Sequence, residues 1–211
     1  MADVDNSGLQ PLTVAVRVSN TNGGFLTVGS SGFASNNFNY TFTGSPTNAT
    51  LAVRQLTFVP VANHIPVNLK ETNNFTLTVT DGYAPQTNNA IRVIVTSTND
   101  APVIDGVSAA HQSVQTGNSV QPFSIVTLRD VDQNDDLART NGQSLSLQVA
   151  LSGASPLGNL QVGAFTGTNY QASDVDPVVA TALIRSMIYQ APSQPVASTN
   201  PVTMTITIND G

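Results

Sequence analysis

The residues of this chain with the clearest potential for chemistry are aspartates in short, turn-like segments. They lie in three places: Asp3 and Asp5 in DVDNSG, Asn99 and Asp100 before Ala-Pro, and Asp130 and Asp132 in DVDQND. Carboxylate and amide oxygens are the ligands of calcium, which takes about six to eight of them. Two carboxylates two residues apart can converge on one ion, and their repulsion in its absence favours binding. These segments therefore indicate a hard cation such as calcium.

The composition narrows the class of protein. Charged residues make up only 9% of the 211 residues, the net charge is −6, and lysine and glutamate occur once each, as Lys70 and Glu71. An acidic chain lacks the basic patches that nucleic acids require. There is no cysteine for disulfides or thiolate chemistry, and the apolar runs are much shorter than a membrane span. We therefore expect neither a nucleic-acid partner nor a membrane span.

The sequence repeats itself at an interval of about 130 residues. The matching segments are DVDNSG with DVDQND, LTVAVRVS with LSLQVALS, NFNYTFTG weakly with GTNYQAS, ATLAVRQLTFVP with ATALIRSMIYQAP, and FTLTVTDG with MTITINDG. Five matches in the same order predict two copies of one domain, at 1–99 and 100–211. The copies are out of phase, so the first is expected to lack the first strand of the repeat and the second to lack the last.

Each copy is predicted to be a β-sandwich with one short helical turn. PLTVAVRV and SLSLQVAL alternate apolar and polar residues, as a strand with one buried face does. FTLTVTDG and MTITINDG alternate in the same way and end in Asp-Gly, a turn signal. AIRVIVTS (90–97) is then the return strand of the first copy, and FSIVTL (123–128) precedes the Asp-x-Asp loop of the second. Asp176 before Pro177 predicts a helix over 177–185, with a weaker counterpart at 48–54.

The two ends of the sequence favour a place in a longer array. MADVDNSG has neither the basic region nor the apolar core of a signal peptide. This indicates either a piece of a longer chain or an export signal that lies elsewhere. The strand that each copy lacks leaves the edge of a neighbouring strand unpaired. We therefore expect either a segment of a longer array or head-to-tail self-association, with strands or edges added across the contact.

Four motifs in a fixed order carry a resemblance to a known family. They are the Asn-Asp-Ala-Pro joint at 99–102, the Asp-x-Asp loops at 3–5 and 130–132, the helical turn that runs into LTFVP or MIYQAP, and the strand end TVTDG or TINDG. Together they resemble the cadherin-like (Ig-like) tandem repeats of large bacterial surface adhesins, over nearly the whole chain. The resemblance implies an all-β chain of two tandem sandwich domains that contact neighbouring repeats, at the bacterial cell surface.

The resemblance also implies a calcium site at the joint between repeats. Carried over to this sequence, its ligands are Asn99, Asp100, Asp130 and Asp132. Animal cadherins add acidic ligands from inside the preceding domain. In the first copy, the only acidic residues after its Asp-x-Asp loop are Glu71 and Asp81. The longer loop at 130–143 carries Asp135 and Asp136, which either bind a further ion or lie in solvent.

Other functions have less support in the sequence. His64 and His111 stand apart from any nucleophile or zinc-ligand motif, so we expect no enzyme. A glycan- or protein-binding module is the alternative, and Tyr83 is the best candidate for its exposed ring. Tyr40 and Tyr170 occupy equivalent positions in the two copies, which predicts a packing role for both. A subunit of an extracellular filament or surface layer is a third possibility.

Overall fold

A computed structural model describes residues 10–108, 111–132, 143–193 and 201–211. These residues form antiparallel sheets with two short helices, which confirms the predicted all-β class. The chain divides into two units, Met1–Ser97 and Thr98–Gly211. Asn99, expected at the end of the first copy, therefore belongs to unit 2.

Unit 1 contains seven strands and one helix among its described residues. They are β1 (Leu12–Val18), β2 (Gly24–Thr27), β3 (Ala34–Asn36), β4 (Asn39–Gly44), α1 (Pro46–Arg54), β5 (Thr57–Pro60), β6 (Lys70–Thr80) and β7 (Gln86–Thr96). One sheet has the order β3-β4-β1-β6-β7, and β2 pairs with β5 in another. Alternate residues of β1, such as Val14 and Val16, share a core with Leu26 of β2 and Phe75 of β6. Both sheets thus contribute to one core.

Unit 2 contains nine strands and one helix among its described residues. They are β8 (Val103–Asp105), β9 (Ser119–Val120), β10 (Thr127–Arg129), β11 (Leu145–Ser152), β12 (Asn159–Val162), β13 (Phe165–Gly167), β14 (Asn169–Val175), α2 (Pro177–Ser186), β15 (Ile188–Gln190) and β16 (Thr203–Asn209). The sheet orders are β14-β11-β16, β13-β12-β15-β9 and β10-β8. Leu147 and Val149 of β11 meet Leu160 of β12 and Ile184 of α2 in the core.

The repeated sequence segments form corresponding elements in the two units. β1 lies between β4 and β6, and β11 lies between β14 and β16. A helix follows β4 in one unit and β14 in the other. β7 has no counterpart in the described part of unit 2, and β8 to β10 have none in the described part of unit 1.

Both helices begin at a capping residue followed by proline. Asp176 Oδ1 accepts a hydrogen bond from the Val178 N–H at 2.8 Å, so α2 begins at Pro177 as predicted. Ser45 Oγ accepts one from the Asn48 N–H at 3.3 Å, so α1 begins at Pro46 rather than at the predicted residue 48. The Ser-Pro pair is the start signal in the first copy.

Two predicted strands differ in extent from the observed ones. The return strand β7 begins at Gln86 rather than at residue 90. In the segment at 123–128, only Thr127 and Leu128 lie in a strand. Phe123 and Val126 are buried from a turn, in which the Val126 N–H donates to the Phe123 carbonyl at 3.0 Å. The apolar character of Phe123 and Val126 thus indicates burial in the core and not strand structure.

Candidate metal centre

Pairing of β8 with β10 brings the aspartate segments of unit 2 together. Their antiparallel register sets Val103 opposite Arg129. Continued beyond both strands, this register places Asp100 beside Asp132. The Asp100 N–H donates to Asp132 Oδ2 at 2.7 Å. Two segments that are distant in the sequence thus meet because the strands between them pair.

Asp130 and Asp132 each use one carboxylate oxygen to accept a backbone hydrogen bond and leave the other without a partner. Asp130 Oδ1 accepts the Asp132 N–H at 2.9 Å, and Asp132 Oδ2 accepts the Asp100 N–H. Asp130 Oδ2 and Asp132 Oδ1 are buried and have no hydrogen-bond partner, and Asp132 is only 1% exposed. Acidic side chains are rarely buried in this way unless they are paired or bind a metal.

A third acidic segment reaches the same place from the end of β16. Asp210 Oδ2 accepts a hydrogen bond from Asn99 Nδ2 at 2.9 Å, and the Asp210 carbonyl accepts one from Gln143 Nε2. Gln143 Oε1 is another buried oxygen without a partner. Neither Asp210 nor Gln143 is in the predicted ligand set. The strand end TINDG is a signal for Asp210, but a turn explains that motif equally well.

The aspartate cluster, defined as Asp100, Asp130, Asp132 and Asp210, raises the pKa of Asp130. Burial of the Asp130 carboxyl is the largest cause, and repulsion from the other three carboxylates adds to it. The hydrogen bond from the Asp132 N–H acts in the opposite direction. A cation bound here would relieve this repulsion. All the available donors are oxygens, which suits calcium better than a softer transition metal.

The side chains of the aspartate cluster do not form a preformed metal site. Within the described ranges, no three His, Cys, Asp or Glu side chains form a group that could hold a metal ion. The unpartnered oxygens of Asp130 and Asp132 nevertheless fit a cation, and Gln143 Oε1 is a neutral donor of the kind that completes calcium coordination. The residues present therefore fit calcium as neighbouring ligands that the ion would draw together.

The chain just before Asp130 is anchored to α2. Arg185 Nε donates to the Val126 carbonyl at 2.7 Å. Thr181 Oγ1 accepts from the Leu128 N–H at 2.9 Å and donates to the Leu128 carbonyl at 3.1 Å. The helix thereby fixes the approach to the aspartate cluster.

The corresponding region of unit 1 is described only in part. Four of the acidic residues considered above lie outside the described residues: Asp3, Asp5, Asp135 and Asp136. Asp81, the counterpart of Asp210, closes the turn after β6. Its Oδ1 accepts from the N–H groups of Tyr83 at 2.9 Å and Ala84 at 3.4 Å, and these two bonds lower the pKa of Asp81.

His64 stands apart from nucleophile and zinc-ligand motifs in the sequence, but in the folded chain it lies beside a carboxylate. His64 Nδ1 lies 3.3 Å from Glu71 Oε2, and Glu71 Oε1 also accepts a hydrogen bond from Asn20 Nδ2 at 2.7 Å. Glu71, considered as an additional joint ligand, is thus engaged by neighbours within unit 1. His111 is exposed.

Most tyrosine rings take part in packing. Tyr40 is buried, and its hydroxyl accepts the Leu26 N–H at 2.9 Å. The Tyr170 ring packs edge-on against Phe165, with centroids 5.2 Å apart. Tyr83 is 85% exposed, as expected for a ring that follows a turn.

Comparison with known proteins identifies no family for this chain. No protein-family model matches it, and no curated protein does. Among the described helices, none has both the length and the apolar character to cross a membrane. The features of this chain that bear on its function are therefore its internal repeat and its aspartate cluster.

Proposed function

We propose that this chain is a structural repeat module of an extracellular bacterial adhesin, which spaces or links binding domains at the cell surface and holds calcium in its aspartate cluster. The observation that carries the proposal is the pair of buried oxygens, Asp130 Oδ2 and Asp132 Oδ1, without hydrogen-bond partners. Leaving charged oxygens in this condition is destabilising. Calcium supplies both the positive charge and the coordination that they lack.

In this proposal each unit is an Ig-like, cadherin-like β-sandwich. The support is the sharing of one core by strands of different sheets: β1 with β2 in unit 1, and β11 with β12 in unit 2. Repeats of this kind stack in tandem and contact only their neighbours. A spacer can therefore be lengthened by adding copies without changing the fold of each one.

Calcium in the aspartate cluster would fix the segment at which unit 2 begins. Unit 2 begins at Thr98, and the next two residues, Asn99 and Asp100, hydrogen-bond to Asp210 and Asp132 respectively. A cation shared by Asp100 and Asp132 would bind this segment to the body of unit 2 and restrict its conformations. Restriction of the linking segment stiffens a tandem array, which is the property that a spacer needs.

Calorimetric titration of the chelator-treated chain with calcium tests this function. Calcium is expected to bind and to raise the unfolding temperature, because a ligand that binds only the folded state stabilises that state. Asp132→Asn should weaken binding about tenfold or more, because it removes a buried charge from the site. Asp105→Asn is the matched control, since Asp105 lies on β8 and pairs with Arg129 instead. Absence of binding, or equal affinity in Asp132→Asn, would contradict the proposal.

One observation favours a second function, association with another protein at β7. β7 is an edge strand of its sheet in the described part of unit 1, and Ile91, Val93 and Ile94 are 45%, 38% and 56% exposed. Exposed apolar residues on an edge strand suit strand addition by a partner, including a second copy of the chain.

The free edge of β16 is a poorer place to test self-association. Met204, Ile206 and Ile208 pack against the core of unit 2, so charged substitutions there would unfold the unit. Ile94→Lys on β7 is the better variant. Light scattering that shows concentration-dependent assembly, lost in Ile94→Lys, supports association, and a monomer at every concentration refutes self-association.

A further inference from the structure

Unit 1 contains a second polar cluster, which the function proposed above does not use. We call it the Asn73 cluster, and its members are Asn20, Gly23, His64, Glu71 and Asn73. Asn73 lies on β6, on the inward face that also carries Phe75 two residues later. Asn73 is 0% exposed, and neither its Nδ2 nor its Oδ1 has a hydrogen-bond partner. An unsatisfied buried amide destabilises a fold, so its presence here requires an explanation.

The repeat shows that this position does not require an amide for folding. Alignment of FTLTVTDG with MTITINDG makes Val202 the counterpart of Asn73. Val202 packs against the core of unit 2. Gly153 is likewise the counterpart of Asn20. The polar character is therefore particular to unit 1.

The polar groups converge over Gly23. A methyl group placed on Gly23 would lie 2.5 Å from both Asn73 Oδ1 and Glu71 Oε2, and 2.6 Å from Asn20 Nδ2. The Gly23 N–H donates to Asn20 Oδ1 at 3.2 Å, and the Gly23 carbonyl accepts from the Val61 N–H at 3.1 Å. A side chain at residue 23 would therefore displace these polar groups, which lie close together beside the glycine.

His64 borders the cluster on its more exposed side. Its Nδ1 lies 3.3 Å from Glu71 Oε2, and the two side chains are 31% and 17% exposed. Two ligand atoms at about 2.0–2.1 Å from one tetrahedral metal ion lie about 3.3 Å apart. Asn20 Nδ2 holds Glu71 Oε1 at 2.7 Å and orients the carboxylate, as outer-shell partners of metal ligands do.

We propose that the Asn73 cluster binds a divalent transition-metal ion of the zinc type, with His64 Nδ1, Glu71 Oε2 and Asn73 Oδ1 as protein ligands. Water completes the coordination from the side of His64. An imidazole nitrogen with a carboxylate suits zinc or cobalt better than calcium. Coordination gives Asn73 Oδ1 the partner that it lacks, and the proton between His64 and Glu71 is released to solvent. The ion would hold the chain between β5 and β6 against β6.

Cobalt titration of the full chain tests this site. The chain is freed of metal with a chelator, dialysed, and supplied with excess calcium to occupy the aspartate cluster. One cobalt ion per chain is expected, with visible absorption bands of nitrogen and oxygen coordination, and zinc should displace it. His64→Gln and Asn73→Val should each lower cobalt affinity about tenfold or more. Gly23→Ala should do the same, because its methyl group would displace the oxygens of Glu71 and Asn73.

The controls separate a metal site from a merely polar interior. His111→Gln removes the other histidine of the chain and should leave cobalt affinity unchanged. Asn73→Val is expected to fold, because Val202 occupies the equivalent position in unit 2. If Asn73→Val is unstable, the cobalt affinity of His64→Gln tests the site alone, because His64 is partly exposed and its replacement should leave the fold intact. Failure of the native chain to bind cobalt, or unchanged affinity in His64→Gln, overturns the proposal.

Discussion

Thr181→Val removes one hydroxyl from α2 and so tests the two hydrogen bonds by which this helix holds the chain before Asp130. In the native chain the Thr181 hydroxyl bonds both the N–H and the carbonyl of Leu128, which is 2% exposed. The substitution leaves these two buried groups facing a methyl group. A buried polar group without a partner costs about 1–3 kcal/mol. With two such groups, we therefore expect a loss of about 2–6 kcal/mol in the free energy of unfolding of unit 2.

Urea and thermal unfolding, followed by circular dichroism, measure this loss. A change of that size lowers the Tm of a domain of about 100 residues by roughly 10 °C or more. Amide hydrogen exchange gives a local readout, since the Leu128 N–H should lose its protection. Thr205→Val, on the exposed side of β16, is the matched control. If Thr181→Val unfolds at the same urea concentration and temperature as Thr205→Val, and the Leu128 N–H keeps its protection from exchange, the anchoring role of Thr181 is refuted.

Three further predictions concern the core and the aspartate cluster. Ile184→Ala removes a fully buried side chain of α2 and should destabilise unit 2 by about 2–5 kcal/mol in urea unfolding, whereas Val179→Ala, 51% exposed on the same helix, should change little. Asp210→Asn should weaken calcium binding about tenfold in calorimetry, and an unchanged affinity would remove Asp210 from the site. In chelator, NMR titration should place the pKa of Asp130 above its ordinary value of 3.8. The folded state then binds this proton more tightly than the unfolded state, so the Asp130 contribution should reduce stability as pH rises through that pKa, and the opposite slope would contradict the assignment.

The elements that follow from local pattern were predictable from the sequence. Alternation of apolar residues located the strands β1, β6, β11 and β16, because a strand with one buried face must repeat every two residues. Asp176 before Pro177 located the start of α2, because capping is decided by adjacent residues. Recognition of the repeat then related the elements of one copy to those of the other.

The composition of the polar clusters was not predictable in the same way, because tertiary structure assembles them. Asp210 reaches the other aspartates only through the end of β16, and its motif reads equally well as a turn. His64 lies in the chain between β5 and β6, and the fold brings it to Glu71 on β6. Asn73 continues the alternation of β6 at an inward position, where a polar residue looks like an ordinary variation until its burial is known.

An anomalous difference map from crystals grown in calcium would locate the ion itself. A calcium peak is expected in unit 2 at about 2.3–2.6 Å from oxygens of Asp130 and Asp132, with Asp100 or Asp210 also in the coordination sphere. A map from well-ordered crystals with no anomalous peak at these carboxylates, or with calcium only at sites elsewhere, would contradict calcium binding by the aspartate cluster.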